Sequence, residues 1–357
     1  MVFVTGFPGF LATEFMLRWI KKDQNAQFIC LIQSKFKNLA EASALRLLPN
    51  IPAAQIQLIE GDITQANLGI IDQALPSKIS RIFHFAAIYD LSVSKALGIQ
   101  VNQEGTRNVL NFAKRCQKLE RLDYVSTCYV SGRYAGKFFE EDLEKGQNFN
   151  NFYESTKYEA ERLVRTEMGK GLPCTIYRPA VVVGNSVTGI TQKFDGPYYM
   201  IQWLLRQPNV AFLPRPFHPE HYTLNLVPSD FVLDAMAALA SQGTSLGKTF
   251  QLADPDPLSI LEIISCLELA CDRKVVEIPL PKTFAKTCLK FVPGLERWLG
   301  IPRASLDYFD HPCHYDVSNT LAGLKNTGIT CPSFRTYAPK LVRFMQGSPE
   351  VRNHSLS

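Results

Sequence analysis

Short runs of β-branched and aromatic residues alternate with amphipathic stretches through the first half of the chain. This pattern predicts strands at residues 2–5, 28–33, 56–60, 81–85, 122–126 and 174–177. Between them it predicts helices at residues 11–22, 39–48, 101–118 and 151–168. Because successive parallel strands must be joined by crossover connections, the alternation predicts an α/β fold, a doubly wound parallel sheet of the Rossmann type with helices on both faces.

Beyond Gly184 the alternation fades, and Pro and aromatic residues become frequent. We therefore expect the sheet domain to occupy residues 1–184. Residues 185–347 should form a smaller substrate-side region, with some elements returning to the core of the sheet domain. Helices are expected within it near residues 230–241 and 258–271, and residues 348–357 are expected to be a disordered tail.

Composition excludes several classes of protein. The net charge is only +5 over 357 residues and the basic residues are scattered, which argues against a nucleic-acid partner. The nine cysteines lie far apart and form no CxxC pair, a distribution typical of free thiols in a reducing compartment. The first strand begins at once after Met1, and no apolar run approaches the ~20 residues of a membrane span. A cytoplasmic protein is expected.

A glycine-containing turn, Thr5-Gly-Phe-Pro-Gly-Phe-Leu-Ala12, lies between the first strand and the first helix. Gly6 and Gly9 would let the backbone approach a pyrophosphate, which the N-terminus of the following helix stabilises. A simple tight turn is the alternative, but the strand–turn–helix context favours dinucleotide binding. The expected cofactor contacts here are Gly6, Phe7, Pro8, Gly9, Phe10 and Leu11.

The end of the second strand distinguishes between the two nicotinamide dinucleotides. NAD enzymes place an Asp or Glu there for the ribose 2′-hydroxyl, whereas Leu31-Ile-Gln-Ser-Lys35 contains no acid. The sequence therefore favours NADP(H), with Ser34 and Lys35 contacting the 2′-phosphate, unless the lysines of this loop are merely solvated. After the third strand, Asp62 and Ile63 are placed to meet the adenine, although Asp62 could equally cap a helix.

Tyr153-Glu-Ser-Thr-Lys157 places Tyr153 and Lys157 four residues apart on one face of a helix. A phenol of ordinary pKa, ~10, is a weak acid at neutral pH. A neighbouring ammonium stabilises the phenolate and lowers that pKa, so the pair can donate a proton to a substrate. Lys157 can also hydrogen-bond the nicotinamide ribose. We expect Tyr153 to be the catalytic acid and Lys157 its activator.

A third catalytic hydroxyl is expected at the end of the fifth strand, in Tyr124-Val-Ser-Thr-Cys-Tyr-Val-Ser-Gly132. Thr127 is the first choice and Ser126 the second, since adjacent strand residues face opposite ways. Either could donate to a substrate carbonyl oxygen. Cys128 raises a different mechanism, a covalent acyl-enzyme, but the sequence around it offers no paired His, and buried cysteines are commonly inert.

Together these motifs resemble those of extended short-chain dehydrogenases/reductases, and more closely the reductase domains of fatty acyl and carboxylic-acid (thioester) reductases, the "male sterility" group. The motifs that carry the resemblance are residues 5–12, Glu60-Gly-Asp-Ile-Thr64, His84-Phe-Ala-Ala-Ile-Tyr-Asp-Leu91, Val101-Asn-Gln-Glu-Gly-Thr106, residues 153–157 and Tyr177-Arg-Pro-Ala-Val-Val-Val-Gly184. It implies that Ala86 and Ala87 line the adenine and pyrophosphate path. It also implies that backbone groups of residues 178–181 meet the nicotinamide, with Pro179, Ala180 and Val181 as the expected contacts.

The resemblance implies hydride transfer from NADPH to the carbonyl of a hydrophobic acyl thioester or fatty aldehyde, giving an aldehyde, an alcohol or both. The substrate could be presented on CoA or a carrier protein. Residues 188–199 and 224–230 look most like the N-terminal half of bacterial two-domain fatty acyl reductases, of which this chain would be a stand-alone version. A ketone or steroid-like dehydrogenase and a nucleotide-sugar epimerase or dehydratase remain alternatives on the same fold, and a catalytically silent cofactor sensor is a fourth. The oligomeric state stays open.

Three further segments have less specific patterns. A hydrophobic substrate wall is suggested by Tyr89, Phe194, Tyr198, Tyr199, Met200 and Trp203, although such aromatic residues could equally form core. Residues 283–300 could form an amphipathic helix that touches lipid, but the Pro293-Gly294 break favours packing within the protein. His311-Pro-Cys-His314 offers three metal ligands without a matching cluster elsewhere, so no metal site is predicted.

Overall fold

The computed structural model describes residues 1–215, 217–281, 287, 303–348 and 351. The strands are β1 (Val2–Thr5), β2 (Phe28–Ile32), β3 (Ile56–Glu60), β4 (Arg81–His84), β5 (Arg121–Val125), β6 (Gly136–Phe138), β7 (Cys174–Pro179), β8 (Val181–Val183), β9 (Val210–Arg215), β10 (Leu226–Pro228), β11 (Thr249–Leu252), β12 (Lys274–Pro279) and β13 (Cys313–Tyr315). The helices are α1 (Phe10–Trp19), α2 (Lys37–Leu47), α3 (Lys95–Gly98), α4 (Gly105–Arg115), α5 (Phe152–Gly169), α6 (Tyr198–Leu205), α7 (Ser229–Ala240), α8 (Ile260–Cys271), α9 (Ser318–Leu324) and α10 (Phe334–Gly347).

The central sheet has seven strands in the described part of the chain, in the order β11–β7–β5–β4–β1–β2–β3, and every neighbouring pair is parallel. The predicted doubly wound Rossmann sheet is therefore confirmed. Each of the six predicted strands lies within two residues of a strand of this sheet at both ends. Since all strands point the same way, their carboxyl ends share one edge, and the loops that follow them are brought together there.

Burial on both faces explains why these strands are continuous apolar runs rather than alternating ones. All residues of β1 and β2 are buried. One face packs against α1 and α7, where Phe15 meets Phe83 with ring centroids 4.5 Å apart. The other face packs against α4 and α5 through residues such as Val109 and Val164. Helices cover both sides, so the sheet needs no polar face.

Elements from the second half of the chain both complete the sheet and build a second cluster beside it. β11 adds to the sheet edge next to β7, and α7 packs against α1. Short parallel pairs, β8 with β10 and β9 with β12, extend beyond the carboxyl edge of the sheet. The helices α6, α8 and α10 enclose a separate apolar cluster that includes Tyr198, Ile263 and Tyr337.

Two sequence-based expectations fall on residues that the structure leaves undescribed. The proposed amphipathic segment at 283–300 lies outside the described residues except for Thr287, and the tail at 348–357 is described only at Ser348 and Val351. Among the residues that the structure does describe, no helix has the length and apolarity needed to cross a bilayer.

Candidate active site

The first element of the site is the turn between β1 and α1, at the point where the chain order of the sheet reverses between β1 and β4. Gly6 has φ +89°, and a Cβ placed on it would lie 2.8 Å from the backbone N of Ala86, so only glycine fits. The N–H of Ala86 donates to Thr5 Oγ1 at 3.2 Å, which fixes the loop after β4 against this turn. Crevices at such switch points bind dinucleotides in open α/β sheets.

The N-terminus of α1 faces the same crevice. Gly9 is its N-cap residue, and in the described structure it receives no side-chain cap; the first turn carries no acidic residue. The N–H groups of that turn are therefore suited to an anion such as pyrophosphate. Phe10 and Leu11 are partly exposed, whereas Phe7 and Pro8 are buried, with the Phe7 side chain in the core. The glycine turn thus fits the diphosphate of a dinucleotide.

The end of the site near β2 and β3 contains the residues predicted to meet the adenosine. Ser34 and Lys35 are exposed after β2, and Lys35 Nζ lies 4.8 Å from the Phe36 ring. Ser34 Oγ donates to Glu60 at 3.0 Å, and Lys37 also pairs with Glu60, at 3.2 Å. The end of β2 contains no acidic residue, as the sequence shows, but the carboxylate of Glu60 at the end of β3 lies beside it.

Asp62 follows β3 and does not cap a regular helix of the sheet domain. One of its oxygens accepts from the backbone N–H of Thr64 at 2.8 Å, and the other accepts from Gln33 Nε2 at 2.8 Å. The next residue, Ile63, packs its side chain into the core against the position of Gly105. Gln33, at the end of β2, and Asp62 thereby connect the two loops that border the adenosine side.

The opposite end of the crevice is formed by the loops after β4 and β7. Ala86 is partly exposed and Ala87 is exposed after β4. Pro179 ends β7, and Ala180 donates its N–H to Leu252 O at 3.1 Å before Val181 begins β8. The carbonyl of Pro179 accepts from Thr127 Oγ1 at 3.4 Å. The predicted nicotinamide loop therefore lies directly against the predicted catalytic hydroxyl.

Thr127 and Tyr153 come together at this end of the crevice. Thr127 follows β5, its hydroxyl accepts from the N–H of Tyr129 at 3.3 Å, and it lies within hydrogen-bonding reach of the Tyr153 phenol. Tyr153 lies in the first turn of α5 and is 6% exposed. Burial raises the pKa of Tyr153, and the hydrogen bond with Thr127 acts in the opposite direction. The phenol is therefore protonated at neutral pH, as an acid must be.

Lys157 lies one turn further along α5 and is buried. Its ammonium donates to Tyr124 Oη at 3.0 Å and to the carbonyl of Val125 at 2.8 Å. Burial lowers the pKa of Lys157 to about 7, although the charge of Glu161 acts to raise it. An amine with a pKa near neutrality can exist in either protonation state at physiological pH, which is a common property of functional groups.

With this geometry established, comparison with known proteins identifies the family. The model of the NAD-binding family described as "Male sterility protein" matches residues 4–236. This chain belongs to that family. Residues 4–236 include the glycine turn, Thr127, Tyr153 and Lys157, so the match covers the predicted cofactor and catalytic residues.

Related proteins and structures place this male sterility family member among reductases. The terminal R domain from the myxalamid PKS-NRPS biosynthetic pathway superposes with a TM-score of 0.82 at 25% identity, covering 98% of this chain and 90% of that domain. The nonribosomal peptide synthetase asaC of Aspergillus flavus is 24% identical over 92% of this chain. Fatty acyl-CoA reductase 1 of Arabidopsis thaliana is 29% identical over 42% of this chain.

The chain spans only 34% of the synthetase and 35% of the fatty acyl-CoA reductase. The family match identifies an NAD-binding domain, and the R-domain superposition shows that the same fold extends over nearly the whole chain. The chain is thus an NAD(P)-dependent oxidoreductase of the extended short-chain dehydrogenase/reductase type, with a likeness to thioester reductase domains.

The structure separates the two hydroxyls between which the sequence left a choice. Ser126 Oγ donates at 2.6 Å to Glu161 Oε2, which lies about two turns further along α5 than Tyr153, whereas Thr127 lies within hydrogen-bonding reach of the Tyr153 phenol. Cys128 is buried, its thiol donates to the carbonyl of Arg178 at 3.0 Å, and burial raises its pKa well above the ordinary value. A thiolate nucleophile is therefore disfavoured at this position in the male sterility family member.

Sequence reasoning missed the residues behind Lys157. Tyr124, Glu161 and Arg178 are buried, and Glu161 accepts from Arg178 Nη2 at 2.6 Å and from Arg165 Nε at 2.9 Å. Burial alone would raise the pKa of Glu161, but these two guanidinium groups lower it to about 2. The spacing of Lys157 and Glu161, four residues apart on α5, was the available signal, because it places both on the same face of the helix.

The predicted substrate wall divides into cleft and core. Phe194, Tyr198 and Met200 belong to the apolar cluster around α8, so they are core residues. Tyr89 is 41% exposed and meets Tyr153 edge-on, with ring centroids 5.1 Å apart. Lys193 lies over the Tyr89 ring at 4.9 Å and pairs with Asp195 at 3.3 Å. The wall beside Tyr153 is therefore aromatic but includes an ion pair, which the sequence pattern did not indicate.

Proposed function

We propose that this chain is an NADPH-dependent reductase that transfers hydride to the carbonyl of a hydrophobic acyl thioester or fatty aldehyde, giving an aldehyde, an alcohol or both. The observation that carries the proposal is the meeting of Thr127 and Tyr153 at the end of the crevice where the predicted nicotinamide loop lies. The R-domain likeness over nearly the whole chain and the fatty acyl-CoA reductase relative favour an acyl substrate over a sugar nucleotide.

When bound, the dinucleotide supplies the hydride. In the proposed mechanism Thr127 and Tyr153 donate hydrogen bonds to the carbonyl oxygen of the substrate and orient it. As negative charge develops on that oxygen, Tyr153 transfers its phenolic proton to it. Lys157, as an ammonium, stabilises the phenolate that remains and contacts the nicotinamide ribose.

For a thioester, the two electrons of the hydride and the proton of Tyr153 convert the carbonyl into a hemithioacetal. Its carbon–sulfur bond then breaks, releasing an aldehyde and a thiol with no net change in oxidation state. After exchange of the oxidised dinucleotide for a second NADPH and reprotonation of Tyr153, a second hydride and proton would convert the aldehyde into an alcohol at the same three residues. A covalent enzyme intermediate is unnecessary, in keeping with the buried, protonated thiol of Cys128.

The preference for NADPH rests on Ser34 and Lys35, which we propose as contacts of the 2′-phosphate. Glu60 opposes this preference, because its carboxylate accepts hydrogen bonds from Ser34 and Lys37 and its negative charge would repel a 2′-phosphate. A 2′-phosphate would have to attract these groups away from Glu60. The proposed remaining cofactor contacts are Gly6, Phe7, Pro8, Gly9, Phe10, Leu11, Asp62, Ile63, Ala86, Ala87, Tyr153, Lys157, Pro179, Ala180 and Val181.

We further propose that residues 1–184 hold the cofactor and that residues 185–347 shape the substrate side, with β11 and α7 returning to the sheet domain. The substrate would arrive on CoA or on a carrier protein. A fatty acyl-CoA reductase and a terminal R domain of a PKS–NRPS pathway among the similar proteins support both forms of delivery.

The proposal is tested by product analysis. The purified protein is incubated with NADPH and, separately, with acyl-CoA, an acyl-carrier thioester, a fatty aldehyde, a ketone and a nucleotide sugar. We expect an aldehyde or alcohol from at least one of the first three. Conversion of the ketone alone, or of the nucleotide sugar without net oxidation of NADPH, would replace the proposal by one of the other functions of this fold.

A further inference from the structure

The ammonium of Lys157 is connected to a second charged group through hydroxyls. Tyr124 Oη accepts from Lys157 at 3.0 Å, and the Lys157 Nζ also lies 4.6 Å from the centroid of the Tyr124 ring. Tyr124 is buried in β5, two residues before Ser126 and therefore on the same face of the strand. The hydroxyls of Ser126 and Thr106 lie within hydrogen-bonding reach of the Tyr124 phenol.

The charge of Glu161 fixes the direction of the hydrogen bonds on one side. Glu161 is ionised because Arg178 and Arg165 hold it, so it can only accept. Ser126 must therefore use its one proton to donate to Glu161, at 2.6 Å. With that proton directed to Glu161, Ser126 Oγ can only accept from Tyr124, so we infer that a hydrogen bond between these two hydroxyls is donated by Tyr124. The chain runs in one direction, from Lys157 through Tyr124 and Ser126 to Glu161.

The hydrogen bonds on the other side of Tyr124 agree with this direction. His84 is neutral, because burial together with the charge of Lys157 lowers its pKa to about 3. Thr5 Oγ1 accepts from the N–H of Ala86, so it can donate to His84 Nδ1, 2.7 Å away. In the tautomer protonated at Nε2, His84 donates to Thr106 Oγ1, 3.1 Å away, which leaves the Thr106 proton for Tyr124. In this tautomer the phenol oxygen receives donors, and its own proton is available to Ser126.

We propose that Tyr124, acting with Ser126, is a positioning residue that links Lys157 to the buried carboxylate of Glu161 and thereby holds Lys157 as an ammonium beneath Tyr153. This inference rests on the proposed function, because it takes Lys157 to serve carbonyl reduction. Tyr124 itself touches neither the substrate nor the reacting atoms. Hydrogen bonds in a buried chain polarise one another. The carboxylate at one end therefore makes the Tyr124 oxygen a better acceptor for the ammonium at the other.

The titratable and charged groups that face Lys157 lie on several elements. Tyr124 comes from β5 and His84 from β4, while Tyr153 and Glu161 lie on α5 with Lys157 itself. Arg178, from β7, and Arg165, from α5, act on Lys157 through Glu161, which they neutralise. Among the described residues, Tyr124 is the one of these groups whose side chain accepts a hydrogen bond from Lys157, at 3.0 Å. Removal of its hydroxyl should destabilise the ammonium and lower the pKa of Lys157.

Tyr124→Phe tests the proposal because it keeps the aromatic ring beside the ammonium and removes only the hydroxyl. The alkaline limb of kcat/KM for NADPH reports groups of the cofactor-free enzyme. We expect its midpoint to move to lower pH by about one unit in Tyr124→Phe, since the loss of one hydrogen bond to a charged group is of that size. Ser126→Ala should move it in the same direction by less, because it breaks the chain one step further from Lys157.

Tyr177→Phe is the matched control. Tyr177 is equally buried on the neighbouring strand β7, and its hydroxyl donates to a different buried carboxylate, Asp123, at 2.9 Å. Loss of the Tyr177 hydroxyl should lower the free energy of unfolding without moving the midpoint of the alkaline limb of kcat/KM. If Tyr124→Phe and Tyr177→Phe reduce activity equally at all pH values, with the midpoint unmoved in both, Tyr124 is only structural and the proposal fails.

A second measurement separates this proposal from the proposed function. In cofactor-free protein labelled at lysine, the NMR titration of the Lys157 side chain, assigned with Lys157→Met, should show a lower pKa in Tyr124→Phe and in Ser126→Ala. This result needs no substrate, so it would stand even if no carbonyl compound were reduced. An unchanged Lys157 titration in both folded variants would overturn the link to Glu161 and leave the reductase proposal intact.

Discussion

Ser126 and Thr127 are neighbours in the chain, yet their hydroxyls serve different partners: Ser126 Oγ donates to Glu161 at 2.6 Å, and Thr127 lies within hydrogen-bonding reach of the Tyr153 phenol. The backbone remains extended just after β5, and consecutive side chains of an extended segment point to opposite faces. This alternation explains why the two hydroxyls meet different partners. One face carries the charge network behind Lys157, and the other faces the substrate crevice. Removal of the Thr127 hydroxyl should therefore lower the rate of reduction, whereas removal of the Ser126 hydroxyl should shift the pH dependence of activity.

The first prediction concerns Thr127. Thr127→Val keeps the shape of the side chain but removes the hydroxyl, and should lower kcat by about 10²-fold, as for the loss of one donor to a developing oxyanion. Thr127→Ser, which keeps the hydroxyl, should retain most of the activity. Steady-state kinetics check both, with circular dichroism to confirm folding. A Val variant as active as the Ser variant would remove Thr127 from the mechanism.

The second prediction concerns the stability cost of Lys157. Its folded pKa of about 7 lies below the ordinary value of 10.5, so between these values the unfolded chain binds more protons and the free energy of unfolding rises with pH. Lys157→Met lacks this contribution. The free energy of unfolding of the Met variant, relative to the native chain, should therefore decrease as pH rises from about 7 to about 10. Urea unfolding at several pH values measures it, and a difference independent of pH would contradict the burial of a chargeable amine.

The third prediction concerns cofactor choice. Lys35→Ala should lower the ratio of kcat/KM for NADPH to that for NADH by about tenfold, the effect of roughly one lost ion pair with phosphate. Glu60→Gln should raise the ratio, because Ser34 and Lys37 are then released from the carboxylate. Lys78→Ala is the control, because Lys78 precedes β4 and therefore lies towards the amino ends of the strands, away from the cofactor crevice. If Lys35→Ala and Lys78→Ala behave alike, the NADPH preference has another source.

The fourth prediction concerns the glycine turn. Gly6→Ala would place a Cβ 2.8 Å from Ala86 N at φ +89°, and should weaken dinucleotide binding at least tenfold and destabilise the fold by about 1–2 kcal/mol. Gly169→Ala, at the end of α5, is the control because its Cβ would meet nothing within 4 Å. Cofactor fluorescence titration and thermal unfolding measure both quantities. Unchanged NADPH affinity in Gly6→Ala would place the diphosphate elsewhere.

Much of the sheet was predictable because its signals are local. β1 was predicted at its observed bounds, since buried parallel strands are continuous apolar runs, and the glycine turn is defined by consecutive residues. Tyr153 and Lys157 share a helix face, so their proximity also follows from spacing alone. Strand alternation indicates that Ser126 and Thr127 face opposite ways, but which of them faces the crevice depends on tertiary packing, such as the contact of Ser126 with Glu161 of α5.

The residues that sequence reasoning missed act across elements. Glu60 reaches Ser34 and Lys37 from a neighbouring strand, and Tyr124 reaches Lys157 from beneath the helix. Nothing in the local sequence reports such contacts, because they depend on the register between β2 and β3 and on the packing of α5 against the sheet. Phe194 and Tyr198 were predicted to line a substrate cleft but lie in the apolar core. The sequence pattern of aromatic residues is the same in both cases, so it cannot distinguish a cleft from a core.

The central claim is that Tyr153 donates the proton in reduction of an acyl carbonyl. The most direct measurement is NADPH oxidation, with identification of the product, by the native chain and by Tyr153→Phe, using acyl-CoA, acyl-carrier thioester and fatty aldehyde. We predict aldehyde or alcohol formation by the native chain and a decrease in kcat of at least about 10²-fold in Tyr153→Phe, with dinucleotide affinity little changed. Near-normal turnover by Tyr153→Phe, or no reduction of any of the three substrates by the native chain, would contradict the account.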